Sequence, residues 1–194
     1  KEKVWSGTIH TGRTATFENR TLTITQNNRE IELQWEVYNP TNSTNLNTAI
    51  FAVEKYDGSK WVQIDSVPYT YSSSSSSKYS YVYKLSDNEC NKGAVTYKFR
   101  VWKKMFSKQS LWYQFMSTNE TSKTIYTDYK KVTSVSVSPI TGKNEATVSW
   151  SLSANGIWDN KGAYALSLTP TSGSAINLTP AYDVTSMKVT GLTG

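Results

Sequence analysis

The feature that most restricts the fold of this chain is a strict alternation of side-chain types in the run I-E-L-Q-W-E-V, residues 31–37. Every second residue is apolar, and the residues between them are charged or carry an amide. A β-strand directs successive side chains to opposite faces, so the run predicts a strand with one buried and one solvated face. Because no long segment repeats apolar residues at helical spacing, we expect an all-β protein.

The composition favours the same fold class. Hydrophobic residues make up 37% of the 194 residues, with thirteen tyrosines and seven tryptophans. Most apolar residues are β-branched or aromatic, which suit a pleated, half-buried surface. Residues 21–25 and 95–101 also alternate, and two apolar runs flank Asp57-Gly58, a strong hairpin signal. Near Lys130-Lys131 a similar pattern restarts, which predicts a second copy of the architecture.

Motifs from both copies resemble the fibronectin type III family of β-sandwiches. In the first copy these are Leu33-x-Trp35, the hairpin F-A-V-E-K-Y-D-G-S-K-W, and Tyr97-x-Phe99-x-Val101, which is similar to the tyrosine-corner strand. In the second copy they are Val148-x-Trp150, Tyr164-x-Leu166-x-Leu168 and T-S-M-K-V-T-G-L. The resemblance implies two tandem immunoglobulin-like or fibronectin type III-like antiparallel β-sandwiches, with Trp35, Tyr97 and Trp150 as structural residues.

The resemblance also implies where the chain divides. Residues 1–130 are expected to form the first sandwich, with a long N-terminal lead-in and a Ser-rich loop at 72–77, and residues 131–194 the second. The second copy is shorter than the roughly 100 residues of such a sandwich and lacks its last strands. Either the chain is an excerpt of a longer polypeptide, or another chain donates the missing strands. Self-assembly through an unpaired edge of 131–194 is therefore one expectation.

Few residues are suited to catalysis or metal binding. The single cysteine, Cys90, rules out an intrachain disulfide, and the single histidine, His10, rules out a metal site with two histidine ligands. The run Asp87-Asn88-Glu89 offers oxygen ligands for calcium but not a full set. We therefore expect no enzyme activity, no cofactor and no metal site.

The outer face of the strand at 95–101 is one candidate binding surface. If Tyr97 and Phe99 face the core, Lys98, Arg100 and Trp102 share the outer face, where charge and stacking could bind an anionic glycan. The alternative is that Glu32, Glu36 or Glu54 on neighbouring strands neutralises these cations in cross-strand pairs.

The alternating tyrosines Tyr79, Tyr81 and Tyr83 are a second candidate. With Leu85 buried, simple alternation turns all three rings into the core. The phase of T-S-M-K-V-T-G-L, applied to the same strand, would instead bury Val82 and expose the tyrosines as a stacking surface for sugars. A register change of one residue exchanges these two arrangements, and both remain open.

The sequence thus predicts a non-catalytic, secreted or cell-surface protein that acts in adhesion or as a spacer. Its expected partner is another protein or a glycan on a surface. Three alternatives are a carbohydrate-binding module with exposed aromatic residues, a filament subunit completed by strand donation, and an ancillary part of a secreted glycoside hydrolase. Nucleic acid is not expected as a partner, because the net charge of +6 is small and the basic residues are interspersed with acidic ones. No segment predicts direct membrane insertion.

Overall fold

A computed structural model of the chain describes residues 18–38, 49–70, 76–106, 112–162, 164–169 and 174–192. Within these ranges every regular element is a β-strand except one three-residue 3₁₀ turn, Asp87–Glu89. The strands are β1 (Glu18–Arg20), β2 (Leu22–Asn27), β3 (Glu30–Tyr38), β4 (Ala49–Tyr56), β5 (Trp61–Pro68), β6 (Ser76–Lys84), β7 (Ala94–Phe106), β8 (Trp112–Thr118), β9 (Thr121–Tyr126), β10 (Val132–Pro139), β11 (Glu145–Leu152), β12 (Leu166–Leu168), β13 (Ile176–Leu178) and β14 (Ser186–Thr190). The prediction of an all-β chain is confirmed.

The first nine strands form two sheets. One has three strands in the order β2-β3-β6. The other has the order β1-β8-β7-β4-β5, with β9 also paired to β7. The short pair of β1 and β8 is parallel, whereas β4 pairs antiparallel with β5 and with β7, and β7 pairs antiparallel with β8. The way in which consecutive strands are divided between the two sheets, and their order within each sheet, is that of an immunoglobulin-like or fibronectin type III-like sandwich.

The alternating run that predicted a strand lies in β3. Ile31, Leu33, Trp35 and Val37 are buried, and the polar residues between them are exposed or half-buried. The predicted hairpin is also present, because β4 and β5 pair around Asp57-Gly58. Gly58 has a φ of 104°, which side-chain-bearing residues rarely adopt. The Asp57 carboxylate accepts backbone N–H bonds from Ser59 and Lys60, which lower its pKa.

The chain divides into two compact units, which are described separately. Unit 1 holds the described residues within Lys1–Thr25, Glu32–Tyr83 and Thr96–Lys123, and unit 2 holds those within Gln26–Ile31, Lys84–Val95 and Thr124–Gly194. The predicted boundary between residues 130 and 131 stays a prediction. Of the predicted Ser-rich loop at 72–77, residues 72–75 lie outside the described ranges, and Ser76 and Ser77 belong to β6.

The core of unit 1 is built around Phe51 on β4, which is fully buried. Its ring centroid lies 5.4 Å from that of Trp35 on β3 and 4.5 Å from that of Tyr79 on β6. Tyr69 contacts the same ring from a third direction, at 6.0 Å. Aromatic side chains from the two sheets therefore meet in one cluster, as expected where two sheets pack face to face.

In unit 2, β10, β11 and β14 form one antiparallel sheet, and β12 and β13 form another. Val148, Trp150 and Val189 are buried together, and residues from both sheets pack against them: Leu152, Leu166, Leu168, Ile176, Leu178 and Met187 among others. Trp150 is thus a core residue. The described part of 131–194 supplies these five strands, whereas an immunoglobulin-like sandwich has at least seven.

Candidate functional site

The three outward residues predicted on β7 lie beside the adjacent strand β4. Glu54 is directly opposite Arg100, and Ala52 is directly opposite Trp102. Directly opposed residues in an antiparallel pair share a face of the sheet, so these side chains occupy one surface. Tyr97, Phe99 and Val101, which alternate with them, are buried on the other face.

The positive charge of Arg100 is paired. Its Nε lies 2.6 Å from Oε2 of Glu54, and its Nη1 lies 3.6 Å from Oε1 of Glu120. Trp102 donates its indole N–H to the same Glu54 oxygen, at 2.9 Å. The cross-strand pairing with Glu54 considered from the sequence is therefore present, and Glu54 holds both the cation and the indole in place.

Aromatic rings lie beside both cations. The guanidinium carbon of Arg100 is 4.4 Å from the ring centroid of Trp61 and 4.9 Å from that of Trp102. The Lys98 ammonium is 5.5 Å from the ring of Tyr56, which in turn is 5.4 Å from Trp61. These distances are within the range of cation–π attraction. We call the surface formed by Tyr56, Trp61, Lys98, Arg100 and Trp102 the cation–aromatic face.

Sequence reasoning found three members of this face and missed Tyr56 and Trp61. The signal that could have found them is the hairpin. A turn at Asp57-Gly58 pairs Tyr56 with Trp61 at the start of β5, and the pairing of β4 with β7 then places both rings beside Lys98 and Arg100. The missing information was the register between β4 and β7, which the local sequence does not specify.

The three tyrosines of β6 are half-buried and turn towards the interior. Tyr79 packs against Trp35 and Phe51, and Tyr83 lies 5.8 Å from Phe99. Val82, on the opposite face, is exposed. Burial raises the pKa of Tyr79 and of Tyr81. The inward arrangement is therefore the one present, and ligand binding by Tyr79, Tyr81 and Tyr83 stays a prediction.

A groove of about 370 Å³ crosses the sheet β2-β3-β6. Its volume is at the lower end of the range for ligand pockets. The lining combines hydroxyl, amide and charged groups with parts of two core aromatics: Thr21, Thr23, Gln34, Trp35, Glu36, Lys78, Tyr79 and Ser80. The charged side chains of the groove are those of Glu36 and Lys78. The Glu36 carboxylate already accepts a hydrogen bond of 2.5 Å from the hydroxyl of Ser76.

A second charged cluster, in unit 2, was not predicted. Arg29 is only 8% exposed, and its guanidinium contacts Asp87 and Asp159, each at 2.5 Å, and donates to the hydroxyl of Tyr129. Lys161 lies 2.7 Å from Asp87. Hydrogen bonds from Lys161 and Arg29 lower the pKa of Asp87 to about 2.

The cluster also bears on the oxygen ligands predicted at Asp87-Asn88-Glu89. The Asp87 carboxylate is occupied by two cations, and the Glu89 carboxylate accepts hydrogen bonds from the backbone and hydroxyl of Ser86. Among the described residues no group of three or more metal-ligating side chains occurs. Cys90 is buried, and this burial raises the pKa of its thiol. His10 lies outside the described residues.

The strand order of the two sheets defines an all-β protein with an immunoglobulin-like or fibronectin type III-like sandwich topology. No protein-family model matches the chain, and no curated protein does. Among solved structures, the FN1-FN3 domains of chicken CNTN1 align over 91% of this chain and 57% of theirs, with 16% identity and a TM-score of 0.32. A TM-score this low does not support a shared fold, so the fold assignment is based on the strand order alone. No helix in the described parts has the length and apolar character to cross a membrane.

Proposed function

We propose that this chain is a non-catalytic, secreted or cell-surface β-sandwich protein that acts in adhesion or as a spacer, and that it binds glycans through the cation–aromatic face. The observation that supports this most is the contact of the Arg100 guanidinium with the rings of both Trp61 and Trp102, while Glu54 pairs with the same guanidinium. Such an arrangement keeps aromatic rings rigid at a sheet surface, which lowers the entropy lost on binding.

The chemistry of the face suits a sugar ring. The C–H groups of a pyranose ring carry partial positive charge and stack against the negative face of an aromatic ring, as other polarised groups do. Tyr56, Trp61 and Trp102 are half-buried, so each ring retains some exposed surface. The exposed ammonium of Lys98, next to Tyr56, adds a donor for a carboxylate or sulfate on the glycan.

The charge balance argues for stacking as the main source of affinity. Lys98 and Arg100 contribute two positive charges, and Glu54 and Glu120, both near Arg100, contribute two negative ones. A nearly neutral surface attracts polyanions weakly. We therefore expect affinity to depend little on salt, and acidic glycans to bind only somewhat better than neutral ones of the same backbone.

A glycan array with three variants tests the proposal. Trp61→Ala should weaken binding about tenfold or more, in the range of a central aromatic contact. Lys98→Gln should reduce binding to acidic glycans while leaving neutral ones unchanged. The matched control is Tyr126→Ala, which removes an exposed aromatic ring in unit 2 and should leave binding as in the unmodified chain. Equal binding by Trp61→Ala and the unmodified chain would reject the cation–aromatic face as the glycan site.

A further inference from the structure

Strand β10 is exposed along its whole length. All eight residues of V-T-S-V-S-V-S-P are solvent-exposed, and the valine side chains at 135 and 137 are 57% and 52% exposed. Among the described strands it lies at the end of the sheet β10-β11-β14, and it contains no charged residue. Natural sheet edges are usually protected by charges, prolines, bulges or covering segments, and residues 134–138 of β10 carry no charge, proline or bulge, so this part of the edge is a potential pairing site.

The hydrogen bonds of the sheet show which backbone groups of β10 point outwards. Trp150 donates its backbone N–H to Thr185, so its backbone faces the β14 side. Alternate residues of a strand face opposite neighbours, so the backbone of Ser149 faces β10, where Ser136 is its partner. The backbone groups of Ser136 are therefore directed to β11. Those of Val135 and Val137 are directed to the open edge.

Both ends of this open edge are interrupted. The register between β10 and β11 shifts between Val132 and Ser134, as in a β-bulge, which bends the strand and disturbs regular pairing. At the other end Pro139 has no N–H to donate. The segment available for regular pairing is therefore the five residues 134–138, and its midpoint is Ser136.

We propose that the partner of this edge is a second copy of the same chain, paired antiparallel to residues 134–138 about a two-fold axis at Ser136. In this register Val135 of each copy lies opposite Val137 of the other. These are the residues whose N–H and C=O groups face outwards, so each pair can exchange two hydrogen bonds. The valines would meet on the face that already carries Trp150 and Val148, because β11 pairs Trp150 with Val135 and Val148 with Val137.

Charge and area favour a weak pairing with a second copy. The chain carries a net charge of +6, but the paired segment is neutral, so no like charges oppose each other in the seam. A seam of five residues per copy buries less than the roughly 1,200 Å² of a standard stable interface. The dimer should therefore form at high protein concentration and dissociate on dilution. This inference is independent of glycan binding, which was assigned to unit 1.

Disulfide cross-linking tests the register. In the proposed dimer Ser136 faces Ser136 of the other copy in a non-hydrogen-bonded pair, where Cα atoms are about 4.5 Å apart, within the range that a disulfide can span. Ser136→Cys should therefore form a covalent dimer under mild oxidation. Ser138→Cys is the matched control, because residue 138 is also exposed and lies on the same face but meets residue 134 of the other copy. A mixture of Ser134→Cys and Ser138→Cys chains should cross-link, while each alone should not.

Sedimentation at increasing protein concentration tests the dimer without a cross-link. The unmodified chain should show reversible dimerisation, Val135→Thr should retain it, and Val135→Lys should abolish it by placing two extra positive charges in the seam. The unmodified chain, whose Cys90 is buried, gives the background for oxidation. A chain that stays monomeric near millimolar concentration, or cross-linking of Ser138→Cys as fast as Ser136→Cys, would overturn the proposal.

Discussion

Replacing Arg29 with alanine should destabilise unit 2 strongly. Arg29 is 8% exposed, and its guanidinium sits between the carboxylates of Asp87 and Asp159, at 2.5 Å from each. The side chain also donates to Tyr129. Its removal leaves a partly buried carboxylate without its closest cation, and this uncompensated charge is the main reason for the expected loss.

The size of the loss follows from the exposure of the two acids. Removing one member of a fully buried ion pair costs about 3–5 kcal/mol. The side chain of Asp87 is 66% exposed and keeps Lys161 at 2.7 Å, so its share should be small. The side chain of Asp159 is 24% exposed, so solvent compensates it only in part. We therefore expect Arg29→Ala to lower the free energy of unfolding by about 2–4 kcal/mol.

Urea unfolding followed by tryptophan fluorescence and by circular dichroism measures this change. With a slope of about 2 kcal/mol per molar urea, the midpoint should fall by about 1–2 M. Adding Asp159→Asn to Arg29→Ala should recover part of the loss, because it removes the unpaired charge. The control is Lys161→Ala, which breaks a pair with Asp87 that is exposed on both sides and leaves Arg29 in place, so it should cost much less. If Arg29→Ala cost no more than Lys161→Ala, the contacts of Arg29 with Asp87 and Asp159 would not stabilise the unit.

Two further predictions concern pH and the core of unit 1. Hydrogen bonds from Lys161 and Arg29 lower the pKa of Asp87 from 3.8 to about 2, so this group contributes stability that is fully present above about pH 4 and is lost as the pH falls through about 2. Asp87→Asn should flatten the acid limb of a stability–pH profile, and an unchanged profile would contradict the assignment. Phe51→Ala should lower the free energy of unfolding by about 3–5 kcal/mol, whereas Val62→Ala, at an exposed position of β5, should change it by about 0.5 kcal/mol or less. Thermal or urea unfolding of both variants checks this difference.

Much of the fold could be predicted because its signals are local. The alternation at residues 31–37 specified the buried face of β3, and Asp57-Gly58 indicated the turn of the β4–β5 hairpin. The restart of the pattern after residue 130 predicted the strands of unit 2, with Trp150 in its core. In each case the information lies within a few consecutive residues, since strand periodicity and turn conformation are properties of short segments.

The candidate site could be predicted only in part. Lys98, Arg100 and Trp102 share a face by alternation alone, but whether Arg100 is free or paired depends on which residue of β4 stands opposite it. That residue is Glu54, which binds Arg100 and Trp102 through one oxygen. The tyrosines of β6 posed the same problem, because two registers one residue apart give opposite faces.

The sequence by itself therefore determined the fold class, the positions of many strands and the alternation of their side chains, because these depend on neighbours in the chain. The tertiary structure alone decided which strands pair, in which register, and which distant side chains meet. Arg29 contacts Asp159 across 130 positions of sequence, and Trp61 reaches Arg100 only through the pairing of β5, β4 and β7. Such contacts depend on sheet order and register, which result from the packing of the whole chain and are not encoded in any short segment.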